Sequence, residues 1–180
     1  MALGNGLSAS QPSLRFPASP GPGGYSGGVG SFGTSPAQPG NGPGGGPTGF
    51  IDGGAANGCR PSLTGRGGGF TGNQFLVPLI GGSGGGGIGG ATGAAGGGAI
   101  LIASSTSIAV TGSVNANGGS GDASGPSGSG SGEAIRLAAN LIGGNGALTA
   151  LEGPFSTDCV RSTAGGDGIV RLEASQSTFN

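Results

Sequence analysis

Gly98-Ala99-Ile100-Leu101-Ile102-Ala103-Ser104 is matched 35 positions on by Glu133-Ala134-Ile135-Arg136-Leu137-Ala138-Ala139, and 35 positions further by Gly168-Ile169-Val170-Arg171-Leu172-Glu173-Ala174. One face of the copies carries Ile100 and Ile102, then Ile135 and Leu137, then Val170 and Leu172. The other carries Leu101, Arg136 and Arg171. Alternation with period two among β-branched residues is the pattern of a half-buried strand. Because the pattern recurs in register, equivalent strands can stack their side chains in columns. Ile102, Leu137 and Leu172 are expected inside one column, with Arg136 and Arg171 outside. One unit cannot bury its apolar face alone, but stacked neighbours can, which is the logic of a solenoid.

Downstream of the first copy, Val110 to Ala116 matches Gly144 to Ala150 at a spacing of 34, and Asn117-Gly118-Gly119 supplies a turn signal. Each unit therefore reads as strand, turn, strand and Gly-rich return. The repeats lie near 97–131, 132–166 and 167–180, and the third stops at Asn180 before a second strand is expected. The fold class expected is all-β, a short β-solenoid or repeat-built sheet with glycine-rich extended segments. An antiparallel β-sandwich of the same strands is the alternative.

Upstream, residues 81–98 are almost pure Gly, Ala and Ser. They read either as a flexible linker or as extended segments whose bare backbones lie close together. The interruptions Ile88, Ala91, Thr92, Ala94 and Ala95, and apolar stretches on both sides, favour packing. Phe75 to Ile80 reads as a strand that Pro78 confines to an edge or an end. Residues 1–49 are Gly, Pro and Ser, with prolines that forbid helices, and read as low-complexity or polyproline-II-like. The expected organisation is thus 1–49 as that segment and 50–180 as the glycine-rich β-repeat domain.

The composition excludes several classes. Glycine supplies 50 residues and proline 12, yet Gly84 to Gly87 run consecutively and Ala99 to Thr111 contains none, so the strict period of collagen is absent. Six basic and seven acidic residues leave a net charge of −1, with no His and no Trp. No polybasic footprint for nucleic acid exists, nor a basic membrane-surface helix. No apolar run approaches the ~20 residues of a membrane span. No signal peptide is legible at Met1 to Gly6.

Chemistry-bearing motifs are thin. Gly82 to Gly87 fits G-x-G-x-x-G but lacks the following helix and the acidic residue ~20 positions on. Gly118-Gly119-Ser120-Gly121-Asp122 is half of a Ca²⁺-binding nonapeptide with its Asp one position early. Ser residues have no His to act as base, and a zinc site would lack His, with the two Cys far apart in sequence. Carboxylates are available at Glu133, Glu152, Asp158, Asp167 and Glu173, with Glu133 and Asp167 read as solvated turn charges. No catalytic, cofactor or metal site is therefore assigned. Arg136 and Arg171 form a surface column with two readings: a shallow site for an anionic ligand or glycan, or an outward face neutralised by Glu173 or Glu133. Cys59 and Cys159 form one disulfide or are two unrelated thiols; a bond would close a loop worth ~4–5 kcal/mol in the chain-entropy model and imply an oxidising compartment.

Leu79 to Gly87, Gly97 to Ala103, Gly112 to Gly119 and Gly166 to Ala174 resemble the Gly-rich block and strand repeats of a family of large, uncharacterised, glycine-rich exported bacterial proteins. The resemblance covers roughly residues 76–180. It implies export and a β-helix-like fold, and the family has no catalytic motif to carry over. The function expected is a non-enzymatic structural or adhesive module of a cell surface or extracellular assembly, self-associating or binding glycans. A glycan- or ice-surface-binding module is the alternative. For it the sequence offers Ser104, Ser105, Thr106, Ser107 and Thr111, and the aromatics Phe155 and Phe179. A β-helix polysaccharide-active enzyme is a second.

Overall fold

The computed structural model describes residues 5–8, 16–51, 63–121, 127–154 and 161–179. The strand-forming repeat wraps into coils. After the short strands β1 (Phe50–Ile51) and β2 (Leu63–Gly65), the first coil holds β3 (Ile100–Ala103), β4 (Ser107–Val110) and β5 (Ser113–Asn115). The second holds β6 (Ala134–Ala138), β7 (Leu141–Gly144) and β8 (Ala147–Thr149). After β9 (Arg161–Ser162), the third holds β10 (Ile169–Glu173) and β11 (Gln176–Phe179). Parallel sheets run β10-β6-β3, β11-β7-β4 and β5-β8, and a mixed sheet runs β1-β2-β9.

The register is the one the repeat dictates: Ile100 opposes Ile135, which opposes Val170, and Ile102 opposes Leu137, which opposes Leu172. This is a short parallel β-solenoid, and its parallel pairing rules out the antiparallel sandwich. Each full coil has three strands where two are expected. The third coil adds β11, paired to β7, on the face that was not expected, and among the described residues it adds nothing to the β5-β8 sheet. Ser107–Val110, Leu141–Gly144 and Gln176–Phe179 share no side-chain pattern, so this face left no trace in the alignment.

The expected buried column closes only in the middle. Ile135 and Leu137 are fully buried, whereas Ile102 and Leu172 keep 38% and 37% exposure. The reason is topological: β6 has a neighbour on both sides, while β3 and β10 are edges. Ile135, Leu137, Ile142, Val110, Ala116 and Ala150 make the core, with Ile100, Ile108, Val114, Leu148 and Phe179 packed against it.

Phe75 to Ile80 is not a strand. Asn73 captures the chain instead: its carbonyl accepts from Leu76 N at 2.9 Å, and its Oδ1 accepts from Phe75 N at 2.9 Å. Its Nδ2 donates to Val77 O at 2.7 Å. Side-chain capture of local backbone groups is how Asn diverts a strand into a turn. Leu76 adopts φ 52° and turns inward, 2% exposed.

The glycine tracts form a second architecture. Tyr25 N donates to Gly82 O and Gly28 N to Gly85 O; Gly46 N to Gly84 O and Gly49 N to Gly87 O; Ser131 N to Ser83 O and Gly128 N to Gly86 O. In return Gly82 and Gly85 donate to Gly97 and Ala94, Gly84 and Gly87 to Asn41 and Gln38, and Gly86 to Arg66. Five of the six partner chains recur after three residues, which is the period of the polyproline-II conformation. The segment 82–87 therefore runs through the middle of six neighbours, bonded to all of them by backbone. Residues 128–133 are surrounded similarly, reaching 83–86, 94–97, 116–119 and 163–166. The spacing requires glycine: a Cβ on Gly85 would land on the carbonyl of Gly128, and one on Gly86 on that of Pro47. Bonds of this kind cross position 49, joining residues 25–49 to 82–87.

Bundle and solenoid share one chain path. Segments 94–98, 127–133 and 163–168 run into β3, β6 and β10, so coils and bundle layers stack together. At the opposite end of the bundle lie the bridges Phe32–Ser35 and Ile88–Ala91.

Candidate functional site

The outer face of the β3–β6–β10 sheet carries the arginine column. Parallel register sets Leu101, Arg136 and Arg171 side by side, with Ala103, Ala138 and Glu173 two residues along. Arg136 grips Glu173 with a fork: Nε donates to Oε1 at 2.9 Å and Nη2 to Oε2 at 3.0 Å. Arg171 Nε donates to the same Oε1 at 2.5 Å, and its Nη1 donates to Gln74 O at 3.0 Å. The Arg171 guanidinium also lies 5.3 Å from the centre of the Phe75 ring, presented by the Asn73 turn.

The electrostatics follow from that geometry. Hydrogen bonds from Arg136 and then Arg171 hold the Glu173 carboxyl down to about 2, against a smaller opposing effect of burial. Glu173 in turn raises Arg136, chiefly through their hydrogen bond. Side-chain exposures of 26–32% leave these pairs within reach of water and salt, so they fall among surface ion pairs, which add little to stability. Of the two readings of the column, the paired-charge face is the one these contacts build, with Glu173 as the partner and Glu133 elsewhere. The Arg171–Phe75 contact was not legible, because the two residues lie far apart in sequence and no local pattern joins them.

Glu133 is the largest departure from expectation. It is no solvated turn charge: it shares the inward parity of Ile135 and Leu137 and is 1% exposed. Its Oε2 finds no hydrogen-bond partner among the described residues. Burial away from water raises its carboxyl from 4.5 to about 8. A buried carboxyl can avoid the cost of an unpaired charge by holding its proton. Only the repeat parity could have signalled this, since Glu133 stands two before Ile135.

Glu152 and Asp167 do come together. Glu152 N donates to Asp167 Oδ1 at 2.9 Å, and both line an open recess with Leu151 and Pro154. Burial and then the Asp167 charge raise the Glu152 carboxyl. Among the described residues no group of three potential metal ligands gathers. Residues 82–87 lie within the bundle, with no strand before them and no helix after, so they form no dinucleotide loop. Ser104 and Thr106 bond each other at the β3–β4 corner. In the next coil the neighbouring corner holds Asn140, whose Nδ2 donates to Ser105 O, so no hydroxyl ladder is built. The expected Cys59–Cys159 pair, and Asp122, Phe155 and Asp158, lie outside the described residues.

No family model, no curated protein and no solved structure matches this chain.

Proposed function

We propose that this chain is a non-enzymatic structural or adhesive module of a cell-surface or extracellular assembly. The observation that supports it is the two-ended build. A backbone-bonded glycine bundle joins a coil stack at one end to the bridged turns Phe32–Ser35 and Ile88–Ala91 at the other. Such a body transmits force through hydrogen bonds rather than mobile side chains, and it holds these two turns on a rigid base, where recognition is commonly placed. The export implied by the family resemblance agrees with this reading, as does the low charge of the chain.

Retention under flow tests it. Beads bearing the folded chain should be held on polysaccharide- or cell-envelope-coated glass more strongly than beads bearing the Gly85→Val, Gly86→Val chain, whose bundle cannot close. Equal retention of the two would overturn the reading.

A further inference from the structure

Among the described residues the bundle extends one layer beyond the first coil, and the sheets do not. Gly6 N donates to Asn117 O at 2.9 Å, as Gly118 N does to Leu151 O at 2.9 Å. Asn117 N donates to Asn5 Oδ1 at 3.1 Å, as Leu151 N does to Asn117 Oδ1 at 2.9 Å. Ala99 N reaches up to Pro22 O at 3.0 Å. Residues 5–8 and 19–22 thus occupy the level of a coil above β3, β4 and β5, while among the described residues no strand pairs with those edges. The result is a ledge one coil high.

Its floor is ready to pair. Ala99 N points up to Pro22, and Ser104 N points down to Ala138 O at 2.9 Å. Successive residues of a strand turn their backbone groups to opposite neighbours, so the N–H and C=O of Leu101 and Ala103 face the ledge. Ile102 keeps 38% exposure, while Leu137, its neighbour one coil down, keeps 0%; Leu101, beside Arg136 on the outer face, keeps 53%. The columns are open where they meet the ledge.

We propose that this ledge is a strand-addition site for an extended segment of a partner polypeptide, parallel to β3 and aliphatic at alternate positions. Backbone bonds to Leu101 and Ala103 would give affinity, and the open columns would select the side chains, as in other strand additions. A second copy does not fit: seating its β10–β11 edge here would drive its residues 163–168 into residues 19–22. The proposal goes beyond the surface-module reading, which stands or falls on bead retention and not on peptide binding.

The probe is a labelled peptide of residues 134–144, which already pairs with β3 and β4 within the molecule. In fluorescence anisotropy the full chain should bind it saturably and a scrambled peptide not at all. Leu101→Pro, which removes one ledge-facing N–H and is tolerated at an edge, should weaken binding at least ten-fold. Val170→Pro, on the opposite edge, should leave it unchanged. If circular dichroism shows Leu101→Pro unfolded, Leu101→Lys takes its place, since an edge lysine deters pairing. Equal binding of the scrambled peptide, undiminished binding by the Leu101 variant, loss in Val170→Pro, or dimerisation of the chain without peptide binding would each overturn the proposal.

Discussion

At Leu137 the stack closes from both sides, and at Ile102 from one. The two residues hold the same column one coil apart, yet their exposures are 0% and 38%. Leu137→Ala should therefore destabilise the fold by about 2–5 kcal/mol, the range for a large-to-small change in a core. Ile102→Ala should cost about half as much or less. Denaturant midpoints at constant slope compare them, and equal costs would break the column assignment. Glu133 sets a pH dependence in the other direction from most carboxylates. Its folded value of about 8 lies above its ordinary 4.5, so between those values the folded chain keeps a proton that the unfolded chain has lost. Stability is full below pH 4.5 and falls as pH rises toward 8, by up to about 1.4 kcal/mol per pH unit. Glu133→Gln should flatten the curve in that window. A wild-type chain no less stable at pH 8 than at pH 5 would contradict the burial. Glu173 acts oppositely: held at about 2, its contribution is present above pH 4.5 and lost as pH falls toward 2. Glu173→Gln should remove that acid loss, read from melts at pH 5 and pH 2.5.

At the scale of elements, the glycine segments and the strands obey different rules, and the sequence displays only one of them. Strands announce themselves through alternating side chains, so Ile100, Ile135 and Val170 could be aligned to the residue and their pairing followed. The face made by β4, β7 and β11 escaped because Gly143 and Gly144 carry no side chain to align with Ala109 and Val110. The same silence covers the bundle. A period of three in backbone bonding leaves no mark on a run such as Gly84 to Gly87, where every residue is alike. At the arginine column, Arg136 and Arg171 could be placed from the repeat, but Phe75 came from a turn that Asn73 closes with both its side chain and its carbonyl. The bundle makes its own prediction. Gly85→Val with Gly86→Val should unfold the chain, because both new side chains meet carbonyls of neighbouring segments. Gly112→Ala, where a Cβ meets nothing within 4 Å, should stay within about 0.5 kcal/mol of the parent. Far-ultraviolet spectra and melts separate the two, and a silent double substitution would mean that residues 82–87 are not packed.

Across the whole molecule, amide exchange should rank the parts. Gly84, Gly85 and Gly87 donate within the surrounded segment and should exchange slowest, beside Leu137. Leu101 and Ala103, facing the ledge, should exchange fast. Equal rates would remove the distinction between a closed bundle and an open edge. The bundle also bears on how the fold responds to heat and cold. An interior made of peptide groups buries polar area where most domains bury hydrocarbon. On unfolding, apolar exposure raises the heat capacity and polar exposure lowers it. The increment for this chain should fall well below the usual ~12–15 cal/mol/K per residue. A small increment flattens the stability dome, so the folded state should lose little on cooling toward freezing and decline gently on warming, its temperature range set more by hydrogen bonds than by the hydration of hydrocarbon.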